Sequence, residues 1–400
     1  MMRAWLLVAF SAVAAGAAKD TCVECHAAKI PVANDVHFRN GLSCTDCHGG
    51  DRNADDPTVA MNRARGFLGK PARTAIPALC ARCHSDANLM HKYAPQQRVD
   101  QYAQYLTSTH GKRIAAGDDA AAVCSDCHGA HGIREVKNPA SPVYPLHLPE
   151  TCARCHADAK HMAKFGIPTN QFAEYRKSVH WEALEKRGDL SAPGCASCHG
   201  NHGATPPGVS SVAAICGTCH VLMENLYNKS PHQAAFAAMG SAGCVVCHSN
   251  HLVLKPSDKL LAGPGAVCAQ CHDAASAGGK AAAEMGGWMQ KLNAALDRSD
   301  ALLNQAARSG MEVSEALLRE NDAREALVKA RVAVHAFQAG AVAQPAGEGL
   351  KIAAETYQAG ENALRERQRR RVGLGFSLIA IAVTLGGLWV TIRRLEKPSV

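Results

Sequence analysis

Eighteen cysteines sit in one five-residue pattern, Cys-x-x-Cys-His, written nine times in a chain of 400 residues. The copies are Cys22/Cys25/His26, Cys44/Cys47/His48, Cys80/Cys83/His84, Cys124/Cys127/His128 and Cys152/Cys155/His156. They continue with Cys195/Cys198/His199, Cys216/Cys219/His220, Cys244/Cys247/His248 and Cys268/Cys271/His272, and no cysteine is left over. One helical turn puts both sulfurs on one edge of a flat macrocycle, and the next residue can then aim its imidazole at the centre. This is the attachment signature of c-type haem: the thiols bond to the vinyl groups and the histidine becomes the proximal iron ligand. Other uses of paired cysteines fit poorly. Zinc needs four ligands and no histidine after every pair. A disulfide framework does not set each pair two residues apart, and a thioredoxin-like motif occurs once or twice within an α/β pattern. Nine covalent haem c groups are therefore expected.

The ends carry two apolar segments. Arg3, the apolar run Ala4–Ala14 and the small residues Ala15-Gly16-Ala17 read as a secretory signal over 1–17, too short to span a bilayer. The run 372–392 is uncharged and 21 residues long, which matches one transmembrane helix. Arginines 369–371 precede it, and Arg393, Arg394 and Lys397 follow. Basic residues on both flanks leave the orientation to the exported haem region. The expected location is the bacterial cytoplasmic membrane, single-pass, with the bulk in the periplasm and 393–400 as a cytoplasmic tail. The net charge of +8 does not argue for nucleic acid, because haem propionates would offset it.

Between the ends the chain changes character once. Residues 18–277 hold every motif amid many Gly, Pro, Asn and Asp, which predicts short helices and loops packed on the porphyrins. Residues 278–371 lack cysteine and are rich in Ala, Leu, Glu, Arg and Gln, which predicts a helical bundle or stalk. One helix is expected over 281–309, a second from an N-cap at Ser314 to Gln338, and a third from Gly349, with 344–347 as a connector. The fold class is mostly α with extensive loops: a multihaem array, a helical stalk and one spanning helix.

The array repeats internally. Ser108-Thr109-His110, Ser178-Val179-His180 and Ser230-Pro231-His232 each precede a motif that has a further histidine three residues after its own: His131, His202 and His251. Each of these motifs is followed by a second one, at Cys152, Cys216 and Cys268. Val36-His37, then Cys44 and Cys80, form a degenerate first copy, and four units plus the motif at Cys22 account for all nine. Of the twenty histidines, eleven lie outside the motifs, enough for bis-histidine ligation throughout. The distal candidates are His37, His91, His110, His131, His161, His180, His202, His232 and His251. His131, His202 and His251 are expected to reach a neighbouring haem rather than their own. His147, His335 and Met223 are left unassigned.

The motif series, the Ser-x-His element and the His-Gly-x-His-Gly segments at 128–132 and 199–203 resemble the multihaem cytochrome c superfamily, with its cytochrome c3-like and cytochrome c554-like members. The resemblance covers roughly 20–275. It implies haems stacked in close parallel and perpendicular pairs, mostly bis-histidine ligated. The helical tail is more weakly similar to multihaem nitrite reductases and hydroxylamine oxidoreductases. However, no motif ends in lysine and no cross-linking tyrosine can be assigned.

An electron-transfer role follows as the expectation. The protein would carry electrons in anaerobic respiration, between a membrane quinol-oxidising partner of cytochrome b type and a periplasmic cytochrome or reductase. The alternative is a multihaem reductase of a small nitrogen or sulfur compound, with one open haem at the seventh motif. Whether the chain is itself an enzyme is left open.

Overall fold

The computed structural model describes residues 20–396 apart from 27 and 29. The expected signal segment 1–17 and the last residues of the tail, 397–400, lie outside them. Among the described residues the secondary structure is helical throughout, without strands.

The chain divides into two compact units. One holds the chain up to Val212 together with His251–Val253; the other holds Ala213–Asn250 and everything from Leu254 on. The division does not fall near 277, where composition changes. The last three motifs pack with the helical bundle instead. Leu261 is buried in the bundle's core and Arg331 pairs with Asp258 at 3.0 Å, so a composition boundary is not a packing boundary here.

In the first unit the motifs are held on short helices, Thr21–His26, Cys44–His48, Ile76–His84, Cys124–His128, Leu148–His156 and Cys195–His199. The residue before the second cysteine often ties the start of the turn. Ser43 N–H donates to Asp46 (2.6 Å), Val123 N–H to Asp126 (2.7 Å) and Gly194 N–H to Ser197 (3.2 Å). Pro77 and Pro149 open the two longer motif helices, where a missing N–H costs nothing. Backbone bonds lace the repeats together: Val36 N–H donates to Ile133 O (2.7 Å) and Val179 N–H to Val253 O (2.9 Å). Each joins a residue just before a repeat histidine to a residue two beyond the histidine that trails a later motif.

In the second unit the motifs at Cys216 and Cys268 lie in 3-10 turns and the one at Cys244 on the helix Gly243–His248. Three helices follow, Ala277–Arg308, Ser314–Ala333 and Ala339–Leu395. Met289, Leu292, Leu296, Ala323, Leu327, Val342, Ala346 and Ala353 form their core. Gly349 permits the closest approach, since a Cβ there would lie 2.8 Å from Leu292 Cδ2 and 3.0 Å from Ala326 Cβ. The first helix stops at Gly310, which takes the left-handed φ of 79° that ends many helices. The N-cap expected of Ser314 is replaced by the Glu312 carboxylate, which accepts from the Ser314 N–H at 2.9 Å.

Two expectations for the bundle change. The second helix ends at Ala333 rather than Gln338, and Val334–Ala336 tighten into a 3-10 turn. The connector expected at 344–347 is helical, with Pro345 inside the 57-residue third helix. Proline removes only one backbone bond, and burial of Val342, Ala346 and Gly349 on both sides holds the helix through it. This helix continues without a break into the apolar run. There its most apolar 18-residue window has a mean hydropathy of 2.0 and none of its surface is buried, as suits a single-pass membrane anchor.

Candidate haem-binding sites

The repeat histidine is built into a helix start. Ser108 caps the helix Thr109–Ala115 by accepting from Gly111 N–H (3.0 Å), and Ser178 caps the next copy from Trp181 N–H (3.2 Å). In the degenerate first copy Asp35 takes the serine's place and accepts from His37 N–H (2.8 Å). With the cap fixed, the histidine two residues on is carried in the first turn of its helix, at a defined height and direction.

Among the described residues, these caps and the motif helices bring seven imidazole pairs face to face. His37 faces His84 at 6.0 Å between ring centres, His110 faces His156 at 6.1 Å and His232 faces His272 at 5.8 Å. His131 faces His48 at 5.9 Å, His202 faces His128 at 6.2 Å, His251 faces His199 at 5.9 Å and His335 faces His248 at 6.1 Å. Every pair joins one motif histidine to one histidine outside the motifs. Two imidazoles bound on opposite sides of one iron, at ordinary metal–nitrogen lengths of about 2 Å, have ring centres about 6 Å apart. The rings are too far apart to bond each other and are spaced as a shared metal would hold them, so the donor set fits haem iron.

The pairs fall into two orientations. A repeat histidine serves the second motif of its own unit with steep interplanar angles of 87°, 55° and 84°. A trailing histidine faces the motif histidine of the first motif of the preceding unit at shallow angles of 30°, 5° and 17°. Burial lowers the pKa of His84, His110, His128, His156, His199, His202, His232, His248 and His251. They are thereby kept in the neutral form that binds metal. Second nitrogens are held as well: His37 Nδ1 donates to Asp35 (3.1 Å) and His48 Nδ1 to the Gly69 carbonyl (2.9 Å).

The remaining candidates differ in their surroundings. His180 occupies the repeat position, and both it and His220 of the seventh motif make contacts, so nothing marks the seventh motif as the open one. His161 packs its ring on Phe165 and His91 is exposed; neither belongs to an imidazole pair among the described residues. His147 bonds the Ser141 carbonyl (3.1 Å) beside Tyr144 at the start of a motif helix. No described imidazole faces His26 of the first motif in this way. His335 lies far beyond the last cysteine, and the signal that points to it is the repeat itself, whose fourth unit lacks a following trailing histidine.

Within each of the two units, motifs consecutive in sequence are neighbours in space. First-cysteine thiols meet in the pairs Cys22/Cys44, Cys80/Cys124, Cys152/Cys195 and Cys216/Cys244. As free thiols, contact with Cys124 lowers the pKa of Cys80 and contact with Cys244 lowers that of Cys216. Second cysteines meet the following motif: Cys47 lies near Cys80 and Cys83, Cys127 near Cys152 and Cys155, and Cys247 near Cys268 and Cys271. Within each unit the motifs thus form an unbroken line.

Three of the expected attachment cysteines, Cys25, Cys198 and Cys219, are not among these contacts. The alternation of first and second cysteines along the line accounts for two of them. The motifs of Cys25 and Cys219 reach the next motif through their first cysteines, Cys22 and Cys216, which leaves the second sulfur on the outside. Cys25 is accordingly exposed on the helix Thr21–His26. Cys219 is exposed too, and its sulfur accepts a long bond from the Thr218 hydroxyl at 3.9 Å. Cys198 belongs to the last motif of the first unit. It is half-buried and lies with Cys195 near Tyr175, whose phenol pKa is raised chiefly by burial and further by the two thiols. All three keep the spacing of the motif from their partner cysteine, and it is the motif that marks them as candidate attachment points.

Paired attachment cysteines, facing imidazoles and an all-helical, loop-rich scaffold define a multihaem c-type cytochrome. A sequence model of the cytochrome c3 family matches residues 36–157 and 189–273, more than half of the chain, and the chain belongs to that family. No curated protein and no solved structure matches it. Membership makes covalently attached haem c its cofactor and multihaem electron transfer its activity.

Proposed function

We propose that the chain is a membrane-anchored, nine-haem electron carrier of the periplasm. In this reading it passes electrons between a quinol-oxidising membrane partner of cytochrome b type and a periplasmic cytochrome or reductase. The observation that carries the reading is the set of seven imidazole pairs at 5.8–6.2 Å, with consecutive motifs in contact. Paired strong ligands leave no place on the iron for substrate, which favours conduction over catalysis.

Haem, when bound, supplies a one-electron couple. The chain supplies the rest. Cysteines fix each group at two points. The motif histidines His26, His48, His84, His128, His156, His199, His220, His248 and His272 would each hold the iron of their own haem. His37, His110, His131, His180, His202, His232 and His251 are the distal ligands of this reading. Burial of the imidazoles excludes water from the iron-facing nitrogens. The close line of motifs keeps successive transfers short. The single apolar helix contains no histidine, so it offers no haem or quinone ligand of its own, which is why a separate quinol-oxidising subunit is proposed.

Two measurements test this. Haem per chain, from the pyridine haemochrome spectrum and the mass of each motif peptide, should reach nine. Low-temperature EPR of the oxidised, detergent-purified protein should be dominated by low-spin signals. A majority of high-spin irons that respond to nitrite, hydroxylamine or sulfite would overturn the carrier reading in favour of a reductase. Co-purification from native membranes tests the partner.

A further inference from the structure

We infer that the turn Val334–Phe337 of the C-terminal bundle is a haem-ligating element, with His335 as the second axial ligand at the motif Cys244/Cys247/His248. The inference rests on the reading above that this motif carries haem. It concerns a residue outside both segments matched to the family.

The first argument is register. Each trailing histidine faces the first motif of the unit before it, so the fourth unit, having no successor, needs its ligand from elsewhere. The ring found opposite His248 is His335, at 6.1 Å with an interplanar angle of 23°. That angle lies within the 5–30° of the three trailing pairs and outside the 55–87° of the repeat-histidine pairs. His335 therefore takes over the geometry of the missing repeat as well as its place.

The second argument is local structure. His335 Nδ1 donates to the Val332 carbonyl at 2.9 Å, which leaves Nε2 as the nitrogen with a free lone pair. The helix tightens to a 3-10 turn at this point, and Phe337 adopts a left-handed φ of 54°, costly for an aromatic residue. The cost positions something: the Phe337 ring lies 4.0 Å, centre to centre, from His232, the partner of His272. One turn thus offers a ligand to the eighth motif and covers the distal histidine of the ninth.

The test uses the full-length, detergent-purified holo-protein carrying His335→Ala. Expected is conversion of one haem per chain from low spin to high spin, with haem content unchanged and low spin restored by added imidazole. His335→Met guards against misfolding. It should keep that haem low-spin, raise its midpoint potential and add the red absorption of a methionine–iron bond. An unchanged low-spin count in His335→Ala, with no shift of potential in His335→Met, would overturn the inference. Loss of the wider reading has a separate signature: a wild-type peptide spanning Cys244–His248 that carries no haem.

Discussion

His48 and His131 lie 5.9 Å apart, ring centre to ring centre, although two whole motifs, at Cys80 and Cys124, intervene between them in sequence. A histidine three residues beyond His128 therefore belongs not to its own motif but to one a repeat earlier. The first unit is held together by this backward reach. Every trailing histidine thus ties one repeat to the one before it.

His131→Ala should convert one haem per chain to high spin, and that haem should be the one on Cys44 and Cys47. His202→Ala should do the same for the one on Cys124 and Cys127. Quantified EPR on each variant and on the double variant, where two high-spin irons are expected, checks the assignment. A single high-spin iron in the double variant would mean that both histidines serve one haem.

Asp35 accepts from His37 Nδ1 (3.1 Å), from His37 N–H (2.8 Å) and from Ile133 N–H (2.9 Å), and it is buried. A carboxylate behind a ligand imidazole makes it more electron-rich and favours ferric iron. Asp35→Asn keeps the helix cap but removes the charge. The midpoint potential of the haem at Cys80/Cys83 should rise on the order of 60 mV, about what a tenfold loss of ferric preference gives in a one-electron couple. Potentiometric titration reads this, and no change would show that Asp35 is a cap alone.

Glu320 is buried in the bundle, and its pKa is raised by desolvation. One carboxylate oxygen has no hydrogen-bond partner among the described residues. Asp300 beside it shifts downward, chiefly through its hydrogen bond to Arg324. For Glu320 the folded pKa lies above the unfolded value of 4.5, so its contribution is complete below that pH and drains away as pH rises through the raised value. Asp300 acts in the opposite sense, losing its contribution as pH falls. Glu320→Gln should therefore leave the bundle's melting temperature nearly unchanged at pH 4 and raise it by a few degrees at pH 8. Circular dichroism melts at the two values, with the same variant as its own control, decide it.

Residues 372–395 pack on nothing within the chain. Ending the chain after Arg371 should move the protein from the membrane to the soluble fraction without altering haem content or the EPR spectrum. Persistence in the membrane would point to a second attachment, such as a tightly held partner.

The attachment sites were legible because their chemistry is local: five residues carry the whole geometry. The repeat was legible because Ser-x-His recurs at its helix starts, where Ser108 and Ser178 act as caps. Pairing was legible only in part, because it depends on which repeat a trailing histidine reaches. His91 and His161 show the limit. Each follows a second motif on a short helix, but one is exposed and the other rests on Phe165, and neither recurs at a fixed spacing. The unequal settings of Cys25, Cys198 and Cys219 were not legible either, since the motif is the same in all nine copies and only packing distinguishes them. His335 was left unassigned for the opposite reason, standing in a helical segment with no cysteine near it. Pro345 was read as a break because proline usually is one. Packing on both sides of it decided otherwise.

The third bundle helix begins two residues after the turn that carries His335 and Phe337, and it does not break before Leu395. From Ala339 to Val372 it climbs about 50 Å, at about 1.5 Å per residue. With the apolar run set in a bilayer, that rod becomes a measuring stick. The eighth and ninth motifs, gathered at its far end, stand well clear of the lipid. A carrier dissolved in the membrane cannot come alongside them. In the proposed placement, the natural partner of those two motifs would be a protein tall enough to meet them.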